Sequence, residues 1–233
     1  LLSAAIAAPA VIVALSLREP DLPEGEVRLA YGHLLRESVR TAFGAPAVRT
    51  MLILSALVTA LTIAPHIFMQ PFLAGHDVEV ALLGVIQTPV RLASMIGALF
   101  AFWLVSRAGT RGVFISAPLL MVATYLALGS FDSVFVFAAF PIASFVNAAL
   151  LPPAADYLNQ RIPSSQRATI LSLRMMMVSL AAAALEPALG VIADGASLRA
   201  VFFVTAGVVA IALPLALGLW LRADAQEREA AGA

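Results

Sequence analysis

The chain has 233 residues and a mass of 24.3 kDa, of which 61% are apolar and only 12% charged, with a mean hydropathy of +0.96. A soluble domain carries roughly 25% charged residues, so this composition excludes an ordinary water-soluble fold and makes lipid the main solvent. The fourteen basic residues are all arginine and are balanced by fourteen acidic ones, so the basic excess of a nucleic-acid binder is missing. Without cysteine there is no disulfide, thiolate metal site or cysteine nucleophile.

A bilayer core of ~30 Å needs about 20 apolar residues of helix. On that measure the chain offers seven candidate spans: Leu1 to Leu17, Met51 to Leu73, Leu82 to Val105, Val113 to Gly129, Val134 to Ala155, Ile170 to Ala193 and Ala200 to Leu221. The first is short and starts inside an apolar run with no basic stretch before it, which argues against a signal peptide and for the end of a helix whose beginning lies elsewhere. Transmembrane strands are a poor reading, because they are shorter and alternate in polarity. The expected organisation is the end of a membrane helix (residues 1–17), a linker with an amphipathic helix (18–50), a six-helix membrane domain (51–221) and a tail (222–233).

The long connection from Arg18 to Thr50 opens with the acidic, proline-rich REPDLPEGE. After it Tyr31, Leu35, Val39, Ala42 and Phe43 recur at helical spacing while Arg36 and Arg40 share the other side, the pattern of a helix lying at the headgroups. Assigning the loops alternately to two sides places twelve of the fourteen arginines on one side and only Arg199 on the other, with Arg91 inside a span. The positive-inside rule makes the arginine-rich side cytoplasmic, and with it the C-terminus.

Polar residues inside the spans fall into stripes. Ser55, Thr59, Thr62, His66 and Gln70 follow steps of three and four and share one helical face of the second span. Gly84, Gln87, Thr88, Arg91, Ser94 and Ala98 do the same in the third, Ser144 and Asn147 mark the fifth, and Ser172, Ser179 and Glu186 the sixth. Polar groups facing lipid are costly, so Thr59, Thr62, His66, Gln70, Gln87, Arg91, Asn147 and Glu186 are the candidates for a solute or ion pathway. An intramembrane arginine is a functional-site or ion-pair candidate by default. His66, Arg91 and Glu186 reach roughly 10 to 14 Å below the outer surface, so Arg91 and Glu186 are expected to pair. From the second span on, the order is polar, polar, plain, polar, polar, plain, a three-helix period like that of transporters built on repeated triplets.

Three passages carry a family resemblance. SRAGTRG at Ser106 to Gly112 resembles the short cytoplasmic loop of major facilitator superfamily transporters, with Arg107, Gly109 and Arg111 matching and Ser106 standing where the family often has aspartate. NQRIPSSQRATILSLR at Asn159 to Arg174 and PALGVIADGASLRAVF at Pro187 to Phe202 resemble the connections on either side of the family's eleventh helix. The resemblance implies an all-α integral membrane protein, a polytopic helical bundle. The chain would be the C-terminal six-helix half of a major facilitator fold plus the end of the preceding helix.

The function so implied is secondary active transport of a small solute by alternating access, with a proton or other ion as a coupling partner. It also implies a partner N-terminal half that is missing here, and residence in a plasma membrane, as in the bacterial inner membrane. The alternative is a seven-helix receptor or sensor; a retinal protein is excluded, since there is no lysine to form a Schiff base. His33, His66 and His76 fall in a loop, a span and an opposite loop, so no metal or other cofactor is expected. The chain also lacks HExxH, GxSxG and a phosphate-binding glycine loop, so no enzymatic activity is expected.

Overall fold

Proline and glycine punctuate the helices of the described residues. A computed structural model describes residues 31–232, and from Leu35 onward they form one compact unit. The span Leu1 to Leu17 and the first part of the linker, residues 18–30, lie outside the described residues. Helix α1, Tyr31–Gly44, ends where Ala45 turns extended (φ −90, ψ 113) ahead of Pro46, as a residue before proline tends to do. Leu35, Val39 and Phe43 leave their side chains exposed on α1, whereas Ser38 and Ala42 are buried. The amphipathic helix is therefore present, with Leu35, Val39 and Phe43 of its apolar stripe uncovered and Ala42 packed inward.

Pro46 then occupies the start of α2, Pro46–His66, where its missing N–H costs nothing. Pro65 ends this helix, and after a turn at Ile67 and Phe68 the short α3, Met69–Ala74, completes the crossing. Beyond a 3-10 turn at Val80–Leu82 come α4, Leu83–Ile86, and α5, Thr88–Ser130. The continuous apolar stretch Leu83–Ser130 is 48 residues long. Unbroken, it would extend about 70 Å, more than twice a bilayer core.

It is broken at Gly109, whose backbone (φ 70, ψ 160) lies outside the helical region and in one that favours glycine. The contacts on either side show that the chain reverses there. Before the break, Gly97 packs on Phe145 and Ala149, and Phe102 and Val105 lie by Pro153 and Asp156, so this arm runs parallel to α6, Ala139–Asn159. After it, Arg111 meets Asp224 and Gly129 meets the Phe203 ring, so this arm runs antiparallel to α8, Leu198–Gly232. Helix α7, Arg167–Gly195, follows Pro163 and a 3-10 turn, and packs mainly on α2 and α8. Ser197 caps α8 by accepting the Ala200 N–H at 3.1 Å.

Among the described residues five helical stretches are thus long and apolar enough to cross a membrane, and the one folded at Gly109 is long enough to cross twice. Between helices in lipid the hydrophobic effect is largely absent, so close packing and buried hydrogen bonds hold the bundle together. Its interior is filled by Trp220, Tyr125, Phe114, Phe140, Phe202 and Met51. At one end His76 lies 3.5 Å from Asp132, which also pairs with Arg199. At the other, Asp224 is fully buried. Helix α8 runs on through residues 222–232, where a tail was expected, because Asp224 and Glu227 are tied into the bundle there.

Candidate functional site

Three helices converge on a cavity of ≈ 410 Å³. From α2 come Thr62 and His66, from the turn before α5 Gln87, from the first arm of α5 Arg91 and Ser94, and from α6 Ser144 and Asn147. The arrangement follows from helical spacing. Thr62 and His66 are one turn apart on α2, and so are Gln87, Arg91 and Ser94 in their segment and Ser144 and Asn147 on α6.

His66 is fixed from two sides. Its Nδ1 is 2.6 Å from the Thr62 carbonyl and its Nε2 is 2.9 Å from the Ser144 hydroxyl. A carbonyl only accepts, so Nδ1 carries the proton, and in the neutral ring Nε2 accepts from Ser144. The ring also stands edge-on to Phe140, with centroids 5.5 Å apart. Asn147 presents a buried Oδ1 that meets no donor. Arg91 is exposed on the cavity wall and forms no ion pair among the described residues.

The hydroxyl stripe of α2 continues below the cavity, but not as an open wall. Ser55, Thr59 and Thr62 are buried. Each gives its own hydroxyl proton to a carbonyl of the preceding turn: Ser55 to Leu52, Thr59 to Ser55, Thr62 to Val58. Their oxygens remain free to accept, and Arg174 of α7 uses two of them, with Nε donating to Ser55 Oγ at 3.2 Å and Nη2 to Thr59 Oγ1 at 3.1 Å. Thr59 therefore lies under Arg174 and not among the cavity residues.

Gln70 is also outside the cavity and exposed. The break after His66 interrupts the spacing that would have kept the two on one face. The expected pairing of Arg91 with Glu186 is not formed among the described residues. Helix α7 packs against α2 and α8, while the Arg91 arm of α5 packs against α6. Glu186 is half-buried on α7 and does not line the cavity.

The loop residues fare differently. Gly109 makes the reversal, Arg107 lies over the Trp103 ring at 5.5 Å, and Ser106 donates to the Trp103 carbonyl at 2.7 Å. Arg111 reaches Asp224 at 2.8 Å, and Asp224 also accepts from the Tyr157 hydroxyl at 3.0 Å and from Arg228 Nε at 3.1 Å. Arg161 stacks on Tyr157 at 3.7 Å from the ring centre and donates to Glu227 at 2.9 Å. Sequence reasoning missed Asp224, Tyr157 and Arg161 as a unit. The available signal was an acidic residue followed four places later by Arg228, directly beyond an apolar span.

The family described as Major Facilitator Superfamily matches residues 51–233. No curated protein matches the chain. Among solved structures, the chain is similar to a crystal structure of a bacterial homologue of the human lysosomal transporter Spinster, in an inward-facing and unoccupied conformation. The TM-score is 0.57 at 17% identity, over 92% of this chain and 55% of that one. At that identity the likeness speaks for the fold. The chain thus spans about 55% of the length of the transporter structure it matches.

Proposed function

Because the chain belongs to the major facilitator superfamily, a family of membrane transporters, we propose that it supplies the C-terminal six-helix half of a secondary transporter. That transporter carries a small solute by alternating access. The observation that carries this reading is the ≈ 410 Å³ cavity, where His66, Gln87, Arg91 and Asn147 gather between helices that are otherwise apolar. Polar groups at such depth are expensive unless they face water, protein or a solute. In this reading α2, α5 and α6 form one wall of the solute path, and the opposite wall belongs to an N-terminal half.

Thr59 and Gln70 flank the wall along the chain, and Glu186 on α7 stands ready for a coupling ion. The arginine-rich end, with Arg49, Arg107, Arg111, Arg161 and Arg167, faces the cytoplasm of a plasma membrane, and the C-terminus lies on that side. The Asp224 cluster then ties the cytoplasmic ends of three helices together.

Uptake into proteoliposomes tests the proposal. The full-length transporter should take up its solute saturably, whereas this chain reconstituted alone should not, since half of the moving pair is absent. Saturable uptake by the chain alone would contradict the two-half reading.

A further inference from the structure

Arg91 and Arg174 lie within the apolar stretches Leu83–Ser130 and Ser164–Gly195, and neither meets a carboxylate among the described residues. They serve the same stripe of α2 from different levels. Arg174 donates to Ser55 and Thr59, while Arg91 shares the cavity with Thr62 and His66, the next two positions of that stripe. From Thr59 to His66 the helix rises about 10 Å. Two guanidinium groups thus lie in succession along one face of α2, and neither pairs with a carboxylate among the described residues.

A charge in a poorly solvated region is costly unless an opposite charge or a strong set of hydrogen bonds accompanies it. Arg174 has three neutral acceptors, the hydroxyls of Ser55 and Thr59 and, more weakly, the Met175 sulfur at 3.8 Å. Arg91 has no hydrogen-bond acceptor among the described residues, and none of the residues that line its cavity is acidic. Glu186, on α7, is not among them. No carboxylate among the described residues supplies the opposite charge to Arg91.

Resting on the reading of the chain as half of a transporter, we propose that the solute itself supplies it. The cavity takes a small anion bearing a carboxylate or phosphate group, which Arg91 grips with its planar fork of donors. The donor-less Oδ1 of Asn147 accepts from a hydroxyl or amino group on the same molecule. Arg174 is the second station, reached along the α2 stripe as the solute moves on. Its hold on Ser55 and Thr59 keeps the guanidinium in place between passages, because those hydroxyls have already committed their protons and can only accept.

Uptake by the full-length transporter in phosphatidylcholine vesicles tests this with matched probes. Radiolabelled inorganic phosphate, succinate and glucose 6-phosphate are set against succinamide, glucose and choline. The proposal expects saturable uptake confined to the anionic probes, with Arg91→Gln lowering it at least about tenfold, the loss of one charged hydrogen-bonding partner. Arg91→Lys, which keeps the charge, should retain a larger share, and Arg174→Gln should also slow uptake. Size-exclusion profiles identify variants that misfold, and the lysine variant carries the test if a glutamine variant does so.

Saturable uptake of glucose or choline with none of the anions overturns the charge assignment and leaves the transporter reading standing. Saturable uptake of none of the probes overturns both. Anion uptake unchanged in both glutamine variants overturns the assignment of these arginines. Should Arg91 instead bind an anionic lipid headgroup, uptake would depend on adding phosphatidylglycerol to the vesicles, and that result too would overturn the proposal.

Discussion

The Tyr125 hydroxyl donates to the Leu61 carbonyl at 2.7 Å, and Leu61 is the residue four places before Pro65. In an uninterrupted helix that carbonyl would take the N–H of residue 65, which proline lacks. The second arm of α5 thus repairs the gap in α2 directly beside the cavity residues Thr62 and His66. Backbone polar groups have no water to turn to in lipid, so the repair matters.

Tyr125→Phe should therefore cost about 1 to 3 kcal/mol, the penalty for a buried acceptor left unmade. In a Pro65→Ala background the alanine N–H satisfies Leu61, and the same change should cost distinctly less. Thermal unfolding of the four proteins measures the coupling. Equal costs in both backgrounds would mean that the tyrosine acts through packing alone.

Asp224 is 0% exposed and gathers Arg111, Arg228 and Tyr157. Asp224→Asn removes the buried carboxylate on which Arg111, Arg161 and Arg228 converge, at a cost of about 3 to 5 kcal/mol. Arg111→Gln should cost much less, because that side chain is 47% exposed and water takes over part of its role. Comparing melting temperatures of the two variants checks the order, and a milder effect for Asp224→Asn would refute it.

Glycine replacements should separate two kinds of close contact. A Cβ at Gly97 would run into the Phe145 carbonyl and crowd the Ala149 nitrogen at 3.2 Å, both backbone atoms of α6 that have nowhere to go. A Cβ at Gly129 meets only the Phe203 ring, also at 3.2 Å, and a ring can turn. Gly97→Ala should force α5 off α6, deform the cavity and lower both stability and uptake, whereas Gly129→Ala should be nearly silent. Comparable losses in the two variants would count against the packing described for α6.

Topology is open to direct measurement as well. Reporter fusions at Arg107 and Arg167 should read as cytoplasmic and one at His76 as external. A cytoplasmic signal at His76 would reverse the orientation of the whole bundle.

Much of the helical architecture was legible in the sequence because lipid makes a strong demand on it. Each crossing needs a long apolar run, and turn residues such as Gly109 and Pro163 stand where those runs end. His66, Gln87, Arg91 and Asn147, which share a cavity, were legible as candidates for the same reason, since polar residues in such runs are rare and helical spacing tells which of them share a face. What spacing could not tell is which faces meet. Ser55 and Thr59 continue the His66 stripe without a break, yet α7 covers them with Arg174. Gln70 continues it on paper, but the turn after Pro65 alters the register. Arg91 and Glu186 match in depth, and depth is blind to the neighbour order that puts α6 rather than α7 beside Arg91. Asp224 was hidden by its composition, because a charged residue just past an apolar run reads as solvated tail until a bundle closes over it.

The absence of cysteine from this chain makes the central claim, a solute path between α2, α5 and α6, directly testable by labelling. Single cysteines at Ser94 on the cavity wall and at Leu99, which is 71% exposed on the same helix outside that wall, are placed in an otherwise cysteine-free full-length transporter. They are then treated with a membrane-impermeant thiol reagent from each side of the membrane in turn. The account predicts that the Ser94 position reacts from both sides, is protected by a transported solute, and that the Leu99 position stays unlabelled in lipid. A Ser94 position that is inert from both sides, or labelled at the same rate with and without solute, would contradict it.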